Sequence, residues 1–375
     1  MQAFISTSNP PHCCKGKMTS RIKLTLKDVA LRAGVSLASV SRVARGQANV
    51  DAAIRDQVRR AAEELGVDLD RKHRQGSSMV GFILGNRDVL HSFQARVLLG
   101  AERYCSSQNV DLVFLSLRYS PATPSKELHI PQILTQPSPV RAVILGGTNS
   151  VNMIDALRER KIPFAVLGNN VAGPWNPSEH DCVYSDDIQG AFDLTNQLIA
   201  DGHRHIRFIG DTGLPWFARC GQGYRHAMEQ HGLQTRFSEI RSDDQQLGYL
   251  AMRSILSRRE PVTAVFAASD QIARGVYEAL AHSGVSVPGD ISVAGFNDTE
   301  GSLMHPTLTT VREFPEELGQ HLAEFVLRRM TEPHTAAQQL VIPTRVVVRD
   351  STAACPVTGP SRLPPTASIA HNREI

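Results

Sequence analysis

From residue 79 to about residue 350, short apolar runs alternate with helix-length amphipathic segments. The runs are MVGFIL (79–84), VDLVFL (110–115), RAVILGG (141–147), PFAVLG (163–168), HIRFIG (205–210), TAVFAAS (263–269) and ISVAGF (291–296). Strands that are apolar throughout, each followed by a helix, are typical of parallel sheets covered on both faces. About 270 residues is long for one such sheet. We therefore predict two doubly wound parallel-sheet subdomains, approximately 79–182 plus 314–341 and 183–313 plus 342–350.

The segments outside this region differ in composition. Residues 1–22 contain Pro, Gly, Ser and Thr without apolar periodicity, which predicts a disordered extension. Residues 351–375 are rich in Pro, Ser, Thr and Ala, and we predict a disordered tail there. Residues 67–78 (VDLDRKHRQGSS) are polar and basic and end in Gly-Ser-Ser, which indicates a linker.

The composition argues against several classes of protein. The chain has 375 residues, 41% of them hydrophobic and 21% charged, which is ordinary for a globular protein of two or three domains. No apolar run approaches the roughly 18 residues of a membrane span, and the first residues lack the apolar stretch of a secretory signal. The six Cys are scattered without a CxxC pair, which favours a reducing cytoplasm over a zinc ribbon or a disulfide scaffold. We expect a cytoplasmic protein without metal, cofactor or membrane partner.

The charge is unevenly placed along the chain. Residues 1–78 hold 14 Lys and Arg against 7 Asp and Glu, whereas the remainder holds 26 against 30. A basic head on a mildly acidic body points to a polyanionic partner at one end. A solvated basic face is the alternative, and charge alone does not decide between them.

Residues 23–66 have the pattern of three short helices. Gly34 interrupts the first helix, Ser36 is a candidate N-cap for the second, and Asp51 and Gly66 are the expected limits of the third. Apolar residues recur at helical spacing at Val29, Ala30, Ala33, Val40, Val43, Ile54, Val58, Ala61, Ala62 and Leu65. Two short helices joined by a Gly-containing turn form a helix-turn-helix, whose second helix can enter a major groove of duplex DNA. We therefore predict an all-α DNA-binding head.

The motif KDVALRAGVSLASVSRV (27–43) resembles the head of the lac repressor family of bacterial transcription regulators. The segments SDQIARGVYEAL (269–280) and ISVAGFNDTE (291–300) resemble the effector domain of that family, and the resemblance covers most of 24–350. It implies a periplasmic-binding-protein-like α/β effector domain that binds a small molecule. It also implies a homodimer on an approximately palindromic operator, because one head makes too few base contacts for genomic specificity.

The resemblance also implies which residues contact DNA. Leu37, Ala38 and Arg42 take the positions that read bases, and Arg42 would carry most of the polar readout. Positions that contact phosphate or cap the helix are occupied by serines: Ser36, Ser39 and Ser41. The alternative is that Leu37 belongs to the core of the head and Arg42 contacts only phosphate.

The chain departs from the family in its linker. Family members follow the third helix with a Pro and a hinge helix that inserts a Leu into the minor groove, but 67–79 contains no Pro and is about four residues shorter. Gly and polar residues stand where the wedge would fall, and they cannot unstack a base step. We expect DNA binding through the major groove and a basic tether with little central kink. The tether would contact phosphates through Arg71, Lys72 and Arg74, with Leu69 as a displaced wedge in the alternative.

We expect the effector at the carboxyl ends of the strands, between the two subdomains. The resemblance to the family's effector domain implies the contact residues His91, Phe93, Trp216, Arg219, Ser269, Asp270, Asn297 and Glu313. Three of them leave alternatives open: Asp270 could cap a helix, Trp216 could simply pack, and Arg219 lies four residues before Gly223, where three is usual. Aromatic, amide and charged groups together favour a polar, ring-shaped metabolite such as a sugar.

Two other classes of protein share the α/β pattern. A Rossmann dehydrogenase needs GxGxxG after its first strand, but GNRDVLHSF stands there, and the chain has no P-loop, GxSxG or HExxH motif. A secreted solute-binding protein is disfavoured by the missing signal peptide and by the basic head. We therefore expect a regulator and not an enzyme.

Overall fold

The computed structural model describes residues 25–44, 50–67, 69, 79–87, 91–135, 138–242 and 244–355. It divides into two compact units, Met1–Ser77 and Ser78–Ile375. The predicted extension 1–22 and most of the predicted tail lie outside the described residues.

The described residues of the first unit form three helices: α1 (Leu26–Ala33), α2 (Leu37–Ala44) and α3 (Ala52–Leu65). The helix limits follow from local chemistry, as predicted. Gly34 and Gly66 end α1 and α3 with φ of 62°, a left-handed conformation that glycine adopts without strain. The carboxylate of Asp51 accepts from Ala53 N at 2.8 Å and caps α3. The core between the helices is small and apolar, with Val29, Val40 and Val58 fully buried.

The described residues of the second unit form two large sheets and one small one. The first has six parallel strands in the order β12-β7-β5-β3-β1-β2. These are β1 (Met79–Gly85), β2 (Asp111–Leu117), β3 (Val140–Gly147), β5 (Phe164–Leu167), β7 (Cys182–Ser185) and β12 (Gln339–Ile342). Strands β4 (Asn149–Ser150) and β6 (Val171–Ala172) form a small parallel pair.

The second sheet has five strands in the order β13-β11-β10-β9-β8. These are β8 (Ile206–Ile209), β9 (Ala264–Ala267), β10 (Ser292–Asn297), β11 (Thr309–Arg312) and β13 (Arg345–Val347). All pairings are parallel except the antiparallel edge pair of β11 and β13. The sequence pattern did not predict that antiparallel edge.

The helices of this unit cover both sheets. They are α4 (Ser92–Ser107), α5 (Val151–Glu159), α6 (Asp187–Ala200), α7 (Pro215–Gln230), α8 (Asp244–Ser257), α9 (Asp270–His282) and α10 (Pro315–Thr331). No helix within the described ranges is long and apolar enough to span a bilayer. Two doubly wound subdomains result, which is the predicted fold class.

The chain passes between the two sheets three times: after β7, after β11 and after β12. The first passage therefore lies beyond Ser185, about three residues later than the expected 182/183 limit. Because each subdomain is built from separate stretches of chain, the two share several connecting segments.

The predicted tail 351–375 is wrong at its beginning, because residues 351–355 pack on the second sheet. Ser351 is fully buried. Its hydroxyl donates to Val293 O at 2.6 Å and accepts from Thr309 N at 2.8 Å. Cys355 N donates to Asp201 O at 2.7 Å. Small hydroxyl residues resemble a solvated tail in composition, but here the Ser351 hydroxyl satisfies backbone groups of β10 and β11.

Candidate functional site

The second helix of the first unit presents a polar face and an apolar face. Val40 and Ala44 are buried in the core, whereas Leu37, Ala38 and Arg42 are exposed. Leu37 has 44% of its surface exposed, so the alternative that it belongs to the core is wrong. The three residues expected to read bases therefore share an accessible surface of α2.

Ser36 caps this helix. Its hydroxyl accepts from Ser39 N at 3.1 Å and hydrogen-bonds to the Ser39 hydroxyl at 2.9 Å. An N-cap serine satisfies an amide that the helix leaves unpaired. Ser39 and Ser41 are half-buried on the same turn of the helix.

The expected tether residues Arg71, Lys72 and Arg74 lie outside the described residues. Leu69 is half-buried and packs on the core of the head, together with Val67. In this structure Leu69 is therefore part of the head and does not project as a wedge.

A cavity lies in the second unit. Its walls come from residues that follow β1, β5, β9, β10 and β11, and from the first turns of the helices behind them. These are the carboxyl ends of parallel strands from both sheets, where doubly wound folds bind ligands.

Six of the eight expected contact residues line the cavity: His91, Phe93, Trp216, Ser269, Asn297 and Glu313. The polar groups of two of them are already engaged. The Ser269 hydroxyl caps α9 by accepting from Ile272 N at 3.2 Å. The Thr299 hydroxyl donates to Asn297 Oδ1 at 3.0 Å, so the Asn297 amide NH₂ is the group that remains to donate to a ligand.

Arg219 does not line the cavity, and its expected position was wrong by one residue. Its Nε donates to Asp187 Oδ1 at 2.7 Å, and its guanidinium lies over the Tyr184 ring at 5.4 Å. The residue three positions before Gly223 is Cys220, which is buried in the cavity wall. One residue is a rotation of about 100° on a helix, which moves the arginine to the neighbouring face.

Asp270 neither lines the cavity nor caps α9, so both interpretations of it were wrong. The carboxylate is fully buried and accepts from Glu300 N at 3.0 Å, Gly301 N at 2.9 Å and the Thr310 hydroxyl at 2.8 Å. It anchors the loop after β10 to the sheet. Burial raises its pKa to about 6.

Trp216 both lines the cavity and packs on the core of the second subdomain, so the two alternatives for this residue do not exclude each other. The Arg87 guanidinium lies 4.8 Å from the centre of its ring, in a cation–π contact. Burial lowers the pKa of Arg87, and the nearby Asp244 carboxylate opposes that shift. Trp216 and Arg87 together join α7 to the segment after β1.

Two further carboxyl groups in the cavity wall have raised pKa values. Asp187 accepts from Asn169 Nδ2 at 2.7 Å and from Arg219, but burial still raises its pKa to about 6. Burial raises the pKa of Glu313 from 4.5 to about 8, and a hydrogen bond with Ser185 opposes the shift only in part. Such shifts are common where a site is prepared for a ligand.

The sequence analysis missed several cavity residues: Arg87, Asn169, Asn170, Asp187, Cys220 and Asp244. A signal for most of them existed, because polar residues that follow a strand or begin the next helix collect at the same edge of a parallel sheet. Cys220 had a different signal, the three-residue spacing before Gly223.

Two sequence profiles match the chain. The profile of the bacterial regulatory proteins of the lacI family matches residues 25–67, and that of the periplasmic binding protein-like domain matches residues 195–352. Catabolite control protein A of Priestia megaterium is 28% identical over 340 residues, which cover 88% of this chain and 100% of that protein.

Solved structures match over similar lengths. A transcriptional regulator CelR–cellobiose complex is 28% identical with a TM-score of 0.64, covering 88% of this chain and 100% of that one. The lac repressor dimer bound to operator and the anti-inducer ONPF is 23% identical with a TM-score of 0.72, covering 88% and 99%.

Proposed function

The chain belongs to the lacI family of bacterial regulatory proteins, and from this premise we propose that it is a cytoplasmic transcriptional repressor whose DNA affinity is controlled by a small-molecule effector. The observation that carries the proposal is the combination of an accessible face on α2 with a cavity at the strand ends of a separate unit. The protein acts by binding and performs no catalysis.

The head binds the major groove of an operator through α2. Leu37 and Ala38 offer apolar contact to a thymine methyl group, and Arg42 offers the long cation that reads a guanine edge. Ser39 and Ser41 contact phosphate, and Arg71, Lys72 and Arg74 add counterion release along the backbone. Two copies of the chain bind the two halves of a palindromic site, in the manner named for the lac repressor dimer.

The effector is sugar-like and binds in the cavity of the second unit. The relative whose complex contains cellobiose supports this class of ligand. The Asn297 amide donates to an oxygen of the ligand, and the faces of Phe93 and Trp216 cover its ring. His91, Ser269 and Glu313 complete the polar wall.

A contact between the two subdomains couples effector binding to DNA binding. The Ser92 hydroxyl donates to Glu300 at 3.2 Å, which joins α4 of the first subdomain to the loop after β10 of the second. A ligand that favours this arrangement of the subdomains over another shifts the population of the two, and the spacing of the two heads changes with it.

A DNA-binding assay with a matched pair of variants tests the proposal. We expect the full-length protein to bind the fragment upstream of its own gene with an affinity that falls steeply as salt rises. Arg42→Ala should weaken specific binding by about 1–3 kcal/mol, whereas Arg258→Ala, an exposed arginine of the second unit, should leave it unchanged. Equal affinities for all three proteins would contradict the role of Arg42.

A further inference from the structure

Among the described residues, three carboxyl groups line the cavity, and two of them have a guanidinium partner. Asp187 accepts from Arg219 Nε at 2.7 Å. Asp244 attracts the guanidinium of Arg87. Each of these two pairs is electrically balanced, so neither needs a charge from a ligand. The third carboxyl group is that of Glu313.

The described neighbours of Glu313 offer it no positive charge. The Ser185 hydroxyl hydrogen-bonds to it, while the carboxylates of Asp187 and Asp270 disfavour its ionised form. Arg312, the preceding residue in the chain, forms its ion pair with a different carboxylate, that of Asp298. Across the part of the chain that the structure describes, no Lys, Arg or His forms an ion pair with Glu313.

Glu313 is half-buried in the cavity wall, where charges interact more strongly than at the open surface. Water screens a surface carboxylate, but a buried one without a partner is costly to ionise. Burial raises the pKa of Glu313 to about 8, which favours its protonated form at neutral pH. A positive charge beside it would favour the carboxylate and supply the missing partner.

The rest of the wall suits a ring that carries such a charge. Phe93 and Trp216 present aromatic faces, which attract both sugar rings and cations. Cys220 is a neutral thiol, because its burial raises the thiol pKa well above the ordinary value. Asn297 offers an amide donor for an oxygen of the ligand.

We propose that the effector is a ring-shaped sugar bearing one protonated amine, and that Glu313 binds the amine as its ion-pair partner. This proposal rests on the proposed function, because it concerns the same cavity. When the ammonium group enters, Glu313 gives its proton to solvent and the carboxylate and ammonium remain. Binding of a cationic amine below pH 8 therefore releases a proton, which a neutral sugar does not require.

Isothermal titration of the full-length protein with three hexosamines and their parent hexoses tests the proposal. The probes are glucosamine, galactosamine and mannosamine against glucose, galactose and mannose, with glucuronate as an anionic control, at pH 6.5 in two buffers of different ionisation enthalpy. We expect at least one hexosamine to bind tenfold or more tightly than its parent and to release a proton. Glu313→Gln should lose at least tenfold in affinity for that hexosamine, and Glu317→Gln, an exposed glutamate on α10, should behave as the wild type.

Three results would overturn the proposal: no hexosamine binds, a hexose or glucuronate binds as tightly as the amine, or Glu313→Gln binds the amine unchanged. These failures are separable from failure of the proposed function. If a neutral hexose binds the cavity and alters DNA affinity, the proposed repressor function stands and only the proposal of an amine-bearing effector is contradicted. If the protein binds a hexosamine but has no affinity for DNA, the amine-bearing ligand stands and the proposed repressor function is contradicted.

Discussion

At the scale of single residues, the chemistry of the cavity depends on which face of a helix a side chain occupies. The sequence placed six of eight expected residues on the cavity wall, because residues after parallel strands meet at one edge. The predictions for Arg219 and Asp270 failed for a different reason. Their positions depend on helix register and on which backbone amides need an acceptor, and neither can be read from residue type alone.

The raised pKa of Glu313 predicts a pH dependence of stability. Between its ordinary pKa of 4.5 and its value in the folded protein of about 8, the folded state holds the proton that the unfolded chain has lost. The free energy of unfolding therefore falls as pH rises through this interval. Glu313→Gln removes this contribution, so its melting temperature should decline less than that of the wild type.

Thermal unfolding of both proteins across pH 4.5–8 measures this difference. Asp187 and Asp270, whose pKa values burial raises to about 6, are present in both proteins and cancel in the comparison. If the melting temperatures of the wild type and the variant depend on pH in the same way, Glu313 does not hold a proton in the folded state.

At the scale of elements, the closest helix contacts depend on glycine. A Cβ atom at Gly275 of α9 would lie 1.9 Å from Gln245 O of α8, and one at Gly248 of α8 would lie 2.1 Å from Ile272 O of α9. The two helices therefore approach through glycines that each contributes. The amphipathic pattern predicted these helices, but their separation follows only from the three-dimensional packing.

Gly275→Ala should destabilise the second unit, because the backbone of α8 must move to admit the methyl group. We expect a loss of roughly 1–3 kcal/mol or more in unfolding free energy, measured by denaturant titration. Glu278→Ala, on an exposed position of the same helix, serves as the control and should change stability little. A Gly275→Ala protein as stable as the control would contradict the close approach.

The cap of α2 separates a structural role of Ser36 from a DNA-binding one. Aspartate caps a helix about as well as serine, whereas alanine loses about 1 kcal/mol. Ser36→Asp should therefore keep the stability of the head but weaken DNA binding, because its charge repels phosphate. Ser36→Ala should lower head stability instead. Unchanged DNA affinity in Ser36→Asp would place this position away from the phosphate backbone.

At the scale of the whole molecule, the order of the domains along the chain could be predicted from the sequence to within a few residues. Alternating apolar runs and helices gave two parallel sheets, and the change in composition near residue 67 separated the head from the body. Residues 351–355 were misjudged because long-range pairing, and not local pattern, orders them. The antiparallel strand β13 has the same explanation, since its partner β11 lies over 30 residues earlier.

The composition of residues 67–79 predicts how the operator is shaped. The segment has no Pro and, after Leu69, no apolar residue before Met79 that could enter a base step. We expect little central kink, measured by a gel-shift assay with circularly permuted operator fragments. A bend comparable to that produced by wedge-bearing relatives would contradict this prediction.

The central claim is that the larger unit reports a metabolite to the DNA-binding head. The most direct test measures the dissociation constant for operator DNA, by fluorescence anisotropy, with and without a ligand that raises the melting temperature of the protein. The account predicts a salt-sensitive affinity that the ligand changes at least fivefold, the usual lower range of allosteric coupling. An affinity for DNA that is absent, or that stays the same when the cavity is filled, would contradict it.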